Sequence, residues 1–161
     1  MLMEEKIVEL MKKNGLTLGA AESCSGGMLS AKLIGVPGIS EVYRAGLVTY
    51  SNEAKHNLLG VSNATLEQFG AVSEETAREM VAGTLKATES DYAVAITGIA
   101  GPGGGSKEKP VGLVYIACGN ANTITVSRNL FDGDREAVRQ ASCVRALEML
   151  WEELSKKYSD N

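Results

Sequence analysis

The sequence predicts an α/β domain built as a three-layer α/β/α sandwich around a mainly parallel, mixed sheet. Apolar runs of strand length alternate with segments of helical periodicity, a pattern typical of a sheet covered by helices on both faces. The run at 92–96 is continuously apolar, as expected for a strand buried on both sides. Two later strand-like runs flank Gly-Asn-Ala-Asn at 119–122, which predicts an antiparallel hairpin.

The individual elements follow from periodicity and from capping residues. Strands are expected at 16–21, 42–50, 92–96, 111–118 and 123–130, and helices at 3–14, 26–34, 51–59, 62–69 and 73–89. Ser73 is a favourable N-cap for the clearest helix, with two glutamates in its first turn. A long final helix follows Asp134, and its buried side is predicted to include Val138, Ala141, Val144, Leu147, Leu150, Trp151 and Leu154.

Length and composition narrow the possible functions. The 161 residues are expected to form one domain over 1–161, and a net charge of −4 with interspersed signs leaves no basic stripe for nucleic acid. No apolar run has membrane-spanning length and no segment resembles a secretory signal, so we expect a cytoplasmic protein without membrane contact. Three cysteines and one histidine lack metal-ligand spacing, and no Walker A or dinucleotide pattern occurs, so neither a metal nor a cofactor is expected.

Four unusual loops each follow a predicted strand directly. They lie at Ser23, at 50–55, at 97–106 and at 132–135. Ligands of open α/β sheets bind outside the carboxyl ends of the strands, so we expect these loops to meet at one edge and to form an active site.

The first loop, Ala-Ala-Glu-Ser-Cys-Ser-Gly-Gly at 20–27, reads as a turn from a strand into a helix. Ser23 and Ser25 supply hydroxyls, and Gly26 and Gly27 leave main-chain amides accessible to an anion or oxyanion. Alternatively, Ser25 is only an N-cap and the two glycines only a tight turn. Glu22 is expected to hydrogen-bond a neighbouring loop or a substrate hydroxyl.

A nucleophilic serine needs a base, and the chain offers few. His56 is the only histidine and is expected at the surface. Lys55 is the better candidate if it is desolvated, because burial lowers a lysine pKa; otherwise it is a solvated helix lysine. Cys24 is a rival nucleophile near a helix N-terminus, unless it packs as a small apolar residue.

Two further features suit substrate binding. Thr97 and Gly98 begin a loop with more glycines than packing requires, which permits close approach of a ligand; the alternative is a mobile surface loop. Arg135 and Arg139 lie four residues apart at the start of the last helix and together suit a phosphate. The alternative is an ordinary solvated pair bonded to Asp134 or Glu136.

Five stretches of the sequence resemble the CinA C-terminal domain family, and the similarity extends over nearly the whole chain. They are AESCSGG (21–27), VTYSNEAK (48–55), GAVS (70–73), GIAGP (98–102) and KPVG (109–112). The resemblance implies a three-layer α/β/α domain, usually a homodimer. It also implies metal-independent hydrolysis of nicotinamide mononucleotide to nicotinate mononucleotide and ammonia, as in the nicotinamide-nucleotide amidohydrolases of this family.

The resemblance assigns roles residue by residue. Ser23 would be the nucleophile, Lys55 its base, and Tyr50 a nearby hydrogen-bonding side chain. The Thr97-Gly98 loop and Arg135 or Arg139 would bind the substrate. Where many relatives have threonine after the cysteine, this chain has Ser25, which keeps the hydroxyl. A non-catalytic nucleotide-binding module of the same fold remains the alternative to an enzyme.

Overall fold

The computed structural model describes residues 1–159 and has helices on both faces of one five-stranded sheet. The strands are β1 (Leu18–Glu22), β2 (Tyr43–Val48), β3 (Tyr92–Gly98), β4 (Leu113–Gly119) and β5 (Ile124–Leu130). The helices are α1 (Met3–Lys13), α2 (Met28–Ile34), α3 (Asn52–Leu59), α4 (Asn63–Phe69), α5 (Glu74–Thr88) and α6 (Arg135–Tyr158), with a 3₁₀ turn at Ile39–Glu41. The predicted elements are all present, with ends shifted by at most two residues.

The sheet is mixed and mainly parallel, as predicted. Its strand order is β2-β1-β3-β4-β5, with β1 parallel to both β2 and β3. The strand β4 is antiparallel to β3 and to β5, so four of the five strands share one direction. The hairpin expected at 119–122 joins β4 to β5. The carboxyl ends of β1, β2, β3 and β5 therefore lie at the same edge of the sheet.

The two faces of the sheet carry separate cores, which confirms the three layers. Along β3, Val94 and Ile96 pack in the cluster that also contains residues of α1, α2 and α6. Ala93 and Ala95 point to the other face and pack with residues of α3, α4 and α5. This alternation is the period of two expected of a strand buried on both faces.

Helix α5 approaches α3 very closely at Gly83. A Cβ atom at this position would lie 1.8 Å from the carbonyl oxygen of Leu59, at the end of α3. The glycine therefore permits the contact that holds α3 beside the sheet edge. This matters for the site because α3 carries Lys55.

One residue of α6 differs from the prediction. Val144 was expected on the buried side, but 48% of it is exposed. It follows the buried Cys143 by one position and is therefore rotated by about 100° from it around the helix axis. Ala146 and Met149 occupy the buried side instead.

Candidate active site

The loops that follow β1, β2, β3 and β5 meet at one edge of the sheet. In the paired register, Glu22 at the end of β1 lies opposite Val48 of β2 and Ile96 of β3. Residues directly after these three strands line one cavity, together with Arg135 after β5. The predicted convergence of four loops is therefore confirmed.

Lys55 and Ser23 form a buried hydrogen-bonded pair in this cavity. Ser51 caps α3 by accepting the amide of Ala54, so Lys55 lies in the first turns of that helix. Its side chain runs inward and is only 1% exposed. The Nζ atom donates to Ser23 Oγ at 3.1 Å and to the carbonyl oxygen of Thr49 at 2.7 Å.

The burial of Lys55 changes its protonation. Desolvation lowers the pKa of Lys55 from its ordinary value of 10.5 to about 8. A substantial fraction of the amine is therefore neutral near physiological pH. Lys55 is therefore desolvated, as the first of the two predictions required, and the alternative of a solvated helix lysine is wrong.

The neighbour of Lys55 points elsewhere. The Nδ1 atom of His56 lies 2.8 Å from the carbonyl oxygen of Val61, and its Nε2 atom lies 3.5 Å from the side-chain nitrogen Nδ2 of Asn63. Successive residues of a helix face different directions, which separates His56 from the cavity.

Cys24 lies beside Ser23 but behaves as a packed apolar side chain. It is 6% exposed and belongs to the core on the α6 face of the sheet. Burial raises the pKa of Cys24 to about 11, against the smaller opposing effects of a main-chain hydrogen bond at Cys24 and of Arg139, Lys55 and Arg135. A thiol that stays protonated is a poor nucleophile, because the thiolate is the reactive form.

Glu22 anchors the loop that carries Ser23. Its carboxylate is fully buried and accepts the main-chain amides of Leu29 at 2.9 Å and Ser30 at 3.0 Å, as well as the Ser30 hydroxyl at 2.7 Å. These are amides of the first turn of α2, so Glu22 occupies the helix terminus that the sequence offered to an anion. Glu22 was expected to bond a neighbouring loop or a substrate hydroxyl, but its partners belong to helix α2 and it lies outside the cavity lining.

The turn between Ser23 and α2 uses some of its own amides. Gly26 N–H donates to the carbonyl oxygen of Ser23 at 3.0 Å. This amide is therefore not available to an oxyanion, contrary to the expectation from the sequence. The N–H groups of Cys24, Ser25 and Gly27 donate to no oxygen acceptor among residues 1–159. The alternative reading of Ser25 as an N-cap is wrong, because its buried hydroxyl has no hydrogen-bond partner within the described chain and Gly27 holds the N-cap position.

The cavity around Ser23 has a volume of about 280 Å³. Thr97 is buried at its wall, and its hydroxyl donates to the carbonyl oxygen of Ala71 at 2.8 Å. Thr97 thereby joins the end of β3 to the loop before α5. The remaining lining includes Gly98 and the glycine-rich segment that follows it, at Ile99, Ala100, Gly101, Gly103 and Gly104.

Arg135 and Tyr50 face each other across the opening of this cavity. Arg135 Nη2 donates to the Tyr50 hydroxyl at 3.1 Å, and Nη1 donates to the carbonyl oxygen of Gly101 at 2.9 Å. Tyr50 is 63% exposed, and its hydroxyl is bonded to Arg135 rather than to Ser23 or Lys55. Beyond Arg135 lies a second cavity of about 430 Å³, which shares Arg135 and Ala100 with the first.

Arg139 does not line the cavity around Ser23. Its Nε atom donates to the carbonyl oxygen of Cys24 at 3.0 Å, and its Nη2 atom donates to that of Ser25 at 3.1 Å. Its Nη1 atom pairs with Glu136 at 3.3 Å. Of the two arginines expected at the site, only Arg135 lines the cavity around Ser23, whereas both line the second cavity.

Two contributions were not predicted from the sequence. The carbonyl oxygen of Thr49 accepts the shorter of the two Lys55 hydrogen bonds. Every residue has a main-chain carbonyl, so residue type does not predict this contact. Ala71 and Val72 line the cavity, although the segment GAVS at 70–73 was already visible as a motif. Among residues 1–159 there is no cluster of side chains able to hold a metal ion, and no helix is long and apolar enough to cross a membrane.

The fold and this site define an α/β protein in which a buried lysine bonds a serine at the carboxyl edge of the sheet. The sequence model of the CinA C-terminal domain matches residues 2–154. The chain belongs to the CinA C-terminal domain family.

Relatives with this domain are found among curated proteins and among solved structures. A CinA-like protein of Thermotoga neapolitana is 50% identical over 155 residues, which cover 96% of this chain and 38% of that protein. The crystal structure of competence/damage inducible protein CihA from Agrobacterium tumefaciens is 43% identical, with a TM-score of 0.91, and the match covers 95% of this chain and 93% of that one. A competence-damaged protein (CinA) superfamily structure from Klebsiella pneumoniae is 38% identical, with a TM-score of 0.92 and 96% of both chains covered.

The curated relatives are longer than this chain. The chain spans 36–38% of the length of five curated relatives. The names of these relatives refer to competence, to damage or to the family, and they state no reaction.

Proposed function

We propose that this protein hydrolyses the carboxamide of nicotinamide mononucleotide, releasing nicotinate mononucleotide and ammonia. The observation that carries the proposal is the buried contact of 3.1 Å between Lys55 Nζ and Ser23 Oγ. A lysine whose pKa is lowered to about 8 can accept the serine proton near neutral pH. The substrate class comes from the family resemblance, whose characterised members include such amidohydrolases.

In the first half of the reaction, neutral Lys55 takes the proton of the Ser23 hydroxyl as Oγ bonds to the carboxamide carbon. The Lys55 ammonium then gives this proton to the amide nitrogen, which leaves as ammonia. An acyl ester on Ser23 remains, with Lys55 neutral again. The fixed positive charge of the pyridinium ring opposes a charged lysine and therefore favours the neutral base.

In the second half, a water molecule attacks the ester carbon. Lys55 accepts a proton from this water and returns it to Ser23 Oγ as the ester bond breaks. The product is the nicotinate carboxyl group, and the enzyme is restored. One water is consumed for each ammonia released, so atoms and charges balance.

Main-chain amides stabilise the oxyanion in both halves of this scheme. The candidates are the N–H groups of Cys24, Ser25 and Gly27, which have no oxygen acceptor among the described residues. Loss of one such donor typically lowers kcat by about 10²- to 10³-fold.

Arg135 binds the phosphate in this proposal. The pyridine carboxamide occupies the cavity of about 280 Å³ beside Ser23, and the ribose phosphate extends toward the guanidinium at its opening. Tyr50 holds Arg135 in place through its hydroxyl.

The decisive experiment measures ammonia and nicotinate mononucleotide released from nicotinamide mononucleotide by the purified chain. Free nicotinamide and the dinucleotide are the substrate controls. Ser23→Ala should lower kcat by at least about 10³-fold, and Cys24→Ala should lose far less. A larger loss of kcat in Cys24→Ala than in Ser23→Ala would identify Cys24 as the nucleophile.

A binding assay separates an enzyme from a nucleotide-binding module. Ser23→Ala protein should still be stabilised against heat by nicotinamide mononucleotide, because ligand binding to the native state raises its stability. Thermal stabilisation of the unaltered chain without ammonia release would contradict the proposed reaction and support the binding module.

A further inference from the structure

Arg139 holds the peptide units that follow Ser23. Its Nε atom bonds the carbonyl oxygen of Cys24 at 3.0 Å, and its Nη2 atom bonds the carbonyl oxygen of Ser25 at 3.1 Å. One rigid guanidinium group therefore holds two successive carbonyls from a distant helix. The planar fork of arginine suits such paired contacts better than the point charge of lysine.

The carbonyl directions determine the amide directions. The peptide bonds of this loop are trans, and in a planar trans unit the C=O and N–H groups point opposite ways. When Arg139 draws the Cys24 carbonyl toward α6, the Ser25 N–H must point away from α6. The carbonyl oxygen of Ser23 accepts the Gly26 N–H at 3.0 Å. Because the Ser23 carbonyl and the Cys24 N–H belong to the same peptide unit, this bond also fixes the direction of the Cys24 N–H.

The glycine after Ser25 makes room for the arginine. Gly26 has a φ of +60°, and a Cβ atom there would lie 3.3 Å from Arg139 Nη2. A side chain at this position would therefore crowd the guanidinium as well as strain the backbone. The loop sequence and the arginine are matched to each other.

The other contacts of Arg139 argue against a substrate role. Glu136 takes Nη1, so each of the three guanidinium nitrogens has a protein partner. Arg135 lines the cavity around Ser23, whereas Arg139 lines only the second cavity, where its three nitrogens are already bonded to protein groups.

We infer that Arg139 is a positioning residue that aims the Cys24 and Ser25 amides at the oxyanion, and that it does not bind the phosphate. The inference rests on the proposed amide hydrolysis, in which those amides receive the developing charge. It predicts that loss of Arg139 impairs the chemical step and leaves substrate binding intact.

The kinetic test compares three methionine variants of arginines in α6 with nicotinamide mononucleotide as substrate. Arg139→Met should lower kcat by about 10²-fold with KM within threefold, because a loop displaced by about 1 Å misplaces the donors. Arg135→Met should raise KM. The matched control is Arg145→Met, since Arg145 has a similar exposure (30% against 27%) and its salt bridges within residues 1–159 are to Glu148 and Glu152. Both kinetic constants of this variant should be unchanged.

A second measurement distinguishes positioning from a general structural role. Amide hydrogen exchange over 23–27 should accelerate in Arg139→Met and remain unchanged in Arg145→Met. Added guanidinium ion should restore part of the kcat of Arg139→Ala. If Arg139→Met does not fold, Arg139→Lys takes its place, with at least about a tenfold loss of kcat expected because a lysine lacks the fork.

The outcomes separate this inference from the proposed function. A raised KM with unchanged kcat in Arg139→Met, or unchanged exchange over 23–27 in the folded variant, would overturn the positioning role. If the unaltered chain releases no ammonia, the proposed function fails, and the exchange measurement alone still decides whether Arg139 orders the loop.

Discussion

Lys55 is the largest fully buried side chain in the described part of the protein. Its hydrocarbon stem lies inside the fold, and its amine has two oxygen partners, Ser23 Oγ and the Thr49 carbonyl. Burying an amine is costly unless it loses its charge, which is why the pKa of Lys55 falls. At the scale of the residue, the same desolvation that destabilises the charged amine favours the neutral form that the proposed base requires.

The reaction should therefore depend on pH through Lys55. With a pKa of about 8, kcat/KM for nicotinamide mononucleotide is expected to rise about tenfold between pH 7 and a plateau above pH 9. The reason is that only the neutral amine can take the Ser23 proton. Initial rates of ammonia release across this range test the prediction, and a profile that is flat or falls with pH would remove Lys55 as the base.

The free energy of unfolding should also depend on the protonation of Lys55. The unfolded lysine has a pKa near 10.5 and the folded one a pKa near 8, so between these values the unfolded state binds more protons and stability rises with pH. From pH 8 to pH 10, the free energy of unfolding of the unaltered protein should gain about 2 kcal/mol relative to Lys55→Met. Urea unfolding of both proteins at the two pH values measures this, and parallel pH dependences would show that Lys55 titrates normally in the fold.

At the scale of the element, the loop at 23–27, between β1 and α2, is held from two sides by charged groups. Glu22, the last residue of β1, closes the amino terminus of α2 by accepting two of its amides. Arg139 of α6 holds the carbonyls of the turn between them. A loop with two glycines would otherwise be flexible, so these contacts supply the rigidity that the proposed nucleophile Ser23 requires.

Replacement of Glu22 should destabilise the fold measurably. Glu22→Gln puts an amide group where two main-chain donors need acceptors, which is expected to lower the free energy of unfolding by about 2 kcal/mol. The matched control is Glu41→Gln, because Glu41 is 67% exposed in its pair with Lys12 and should contribute within about 0.5 kcal/mol. Urea unfolding compares the two, and equal effects would show that the buried carboxylate does not support α2.

At the scale of the whole molecule, both cores share one sheet. The strand β3 contributes alternate residues to the two faces, so neither helical layer has a hydrophobic core without the sheet. A single domain over residues 1–161, usually dimeric in this family, remains a prediction from the sequence. The continuous sheet supports a single folding unit.

Unfolding is therefore expected to be one cooperative transition. The fluorescence of Trp151, the only tryptophan, should report the α6 layer, and far-ultraviolet circular dichroism the whole chain. Coincident urea transitions would support one domain, and separated transitions would contradict it. For a homodimer the midpoint should rise with protein concentration, whereas a midpoint independent of concentration would contradict the predicted dimer.

Much of the arrangement followed from local sequence. Periodicity and turn residues predicted every helix and strand, because burial on one or two faces imposes a repeat that is visible in the chain. The position of each loop directly after a strand predicted that Ser23, Lys55, Thr97 and Arg135 would meet. Val144 was misplaced because one residue of helical rotation decides between core and solvent, and the neighbouring apolar residues obscured that difference.

The sequence by itself determined the fold class, the edge of the sheet where the loops gather, and the identity of the candidate nucleophile and base. Only the tertiary structure decided that Lys55 is buried rather than solvated, that Glu22 closes α2, and that Arg139 holds the loop whereas Arg135 faces the cavity. The physical reason is that these outcomes depend on contacts between residues far apart in the chain. Residue type and local spacing do not encode the direction in which a side chain meets such distant partners, many of which are main-chain groups.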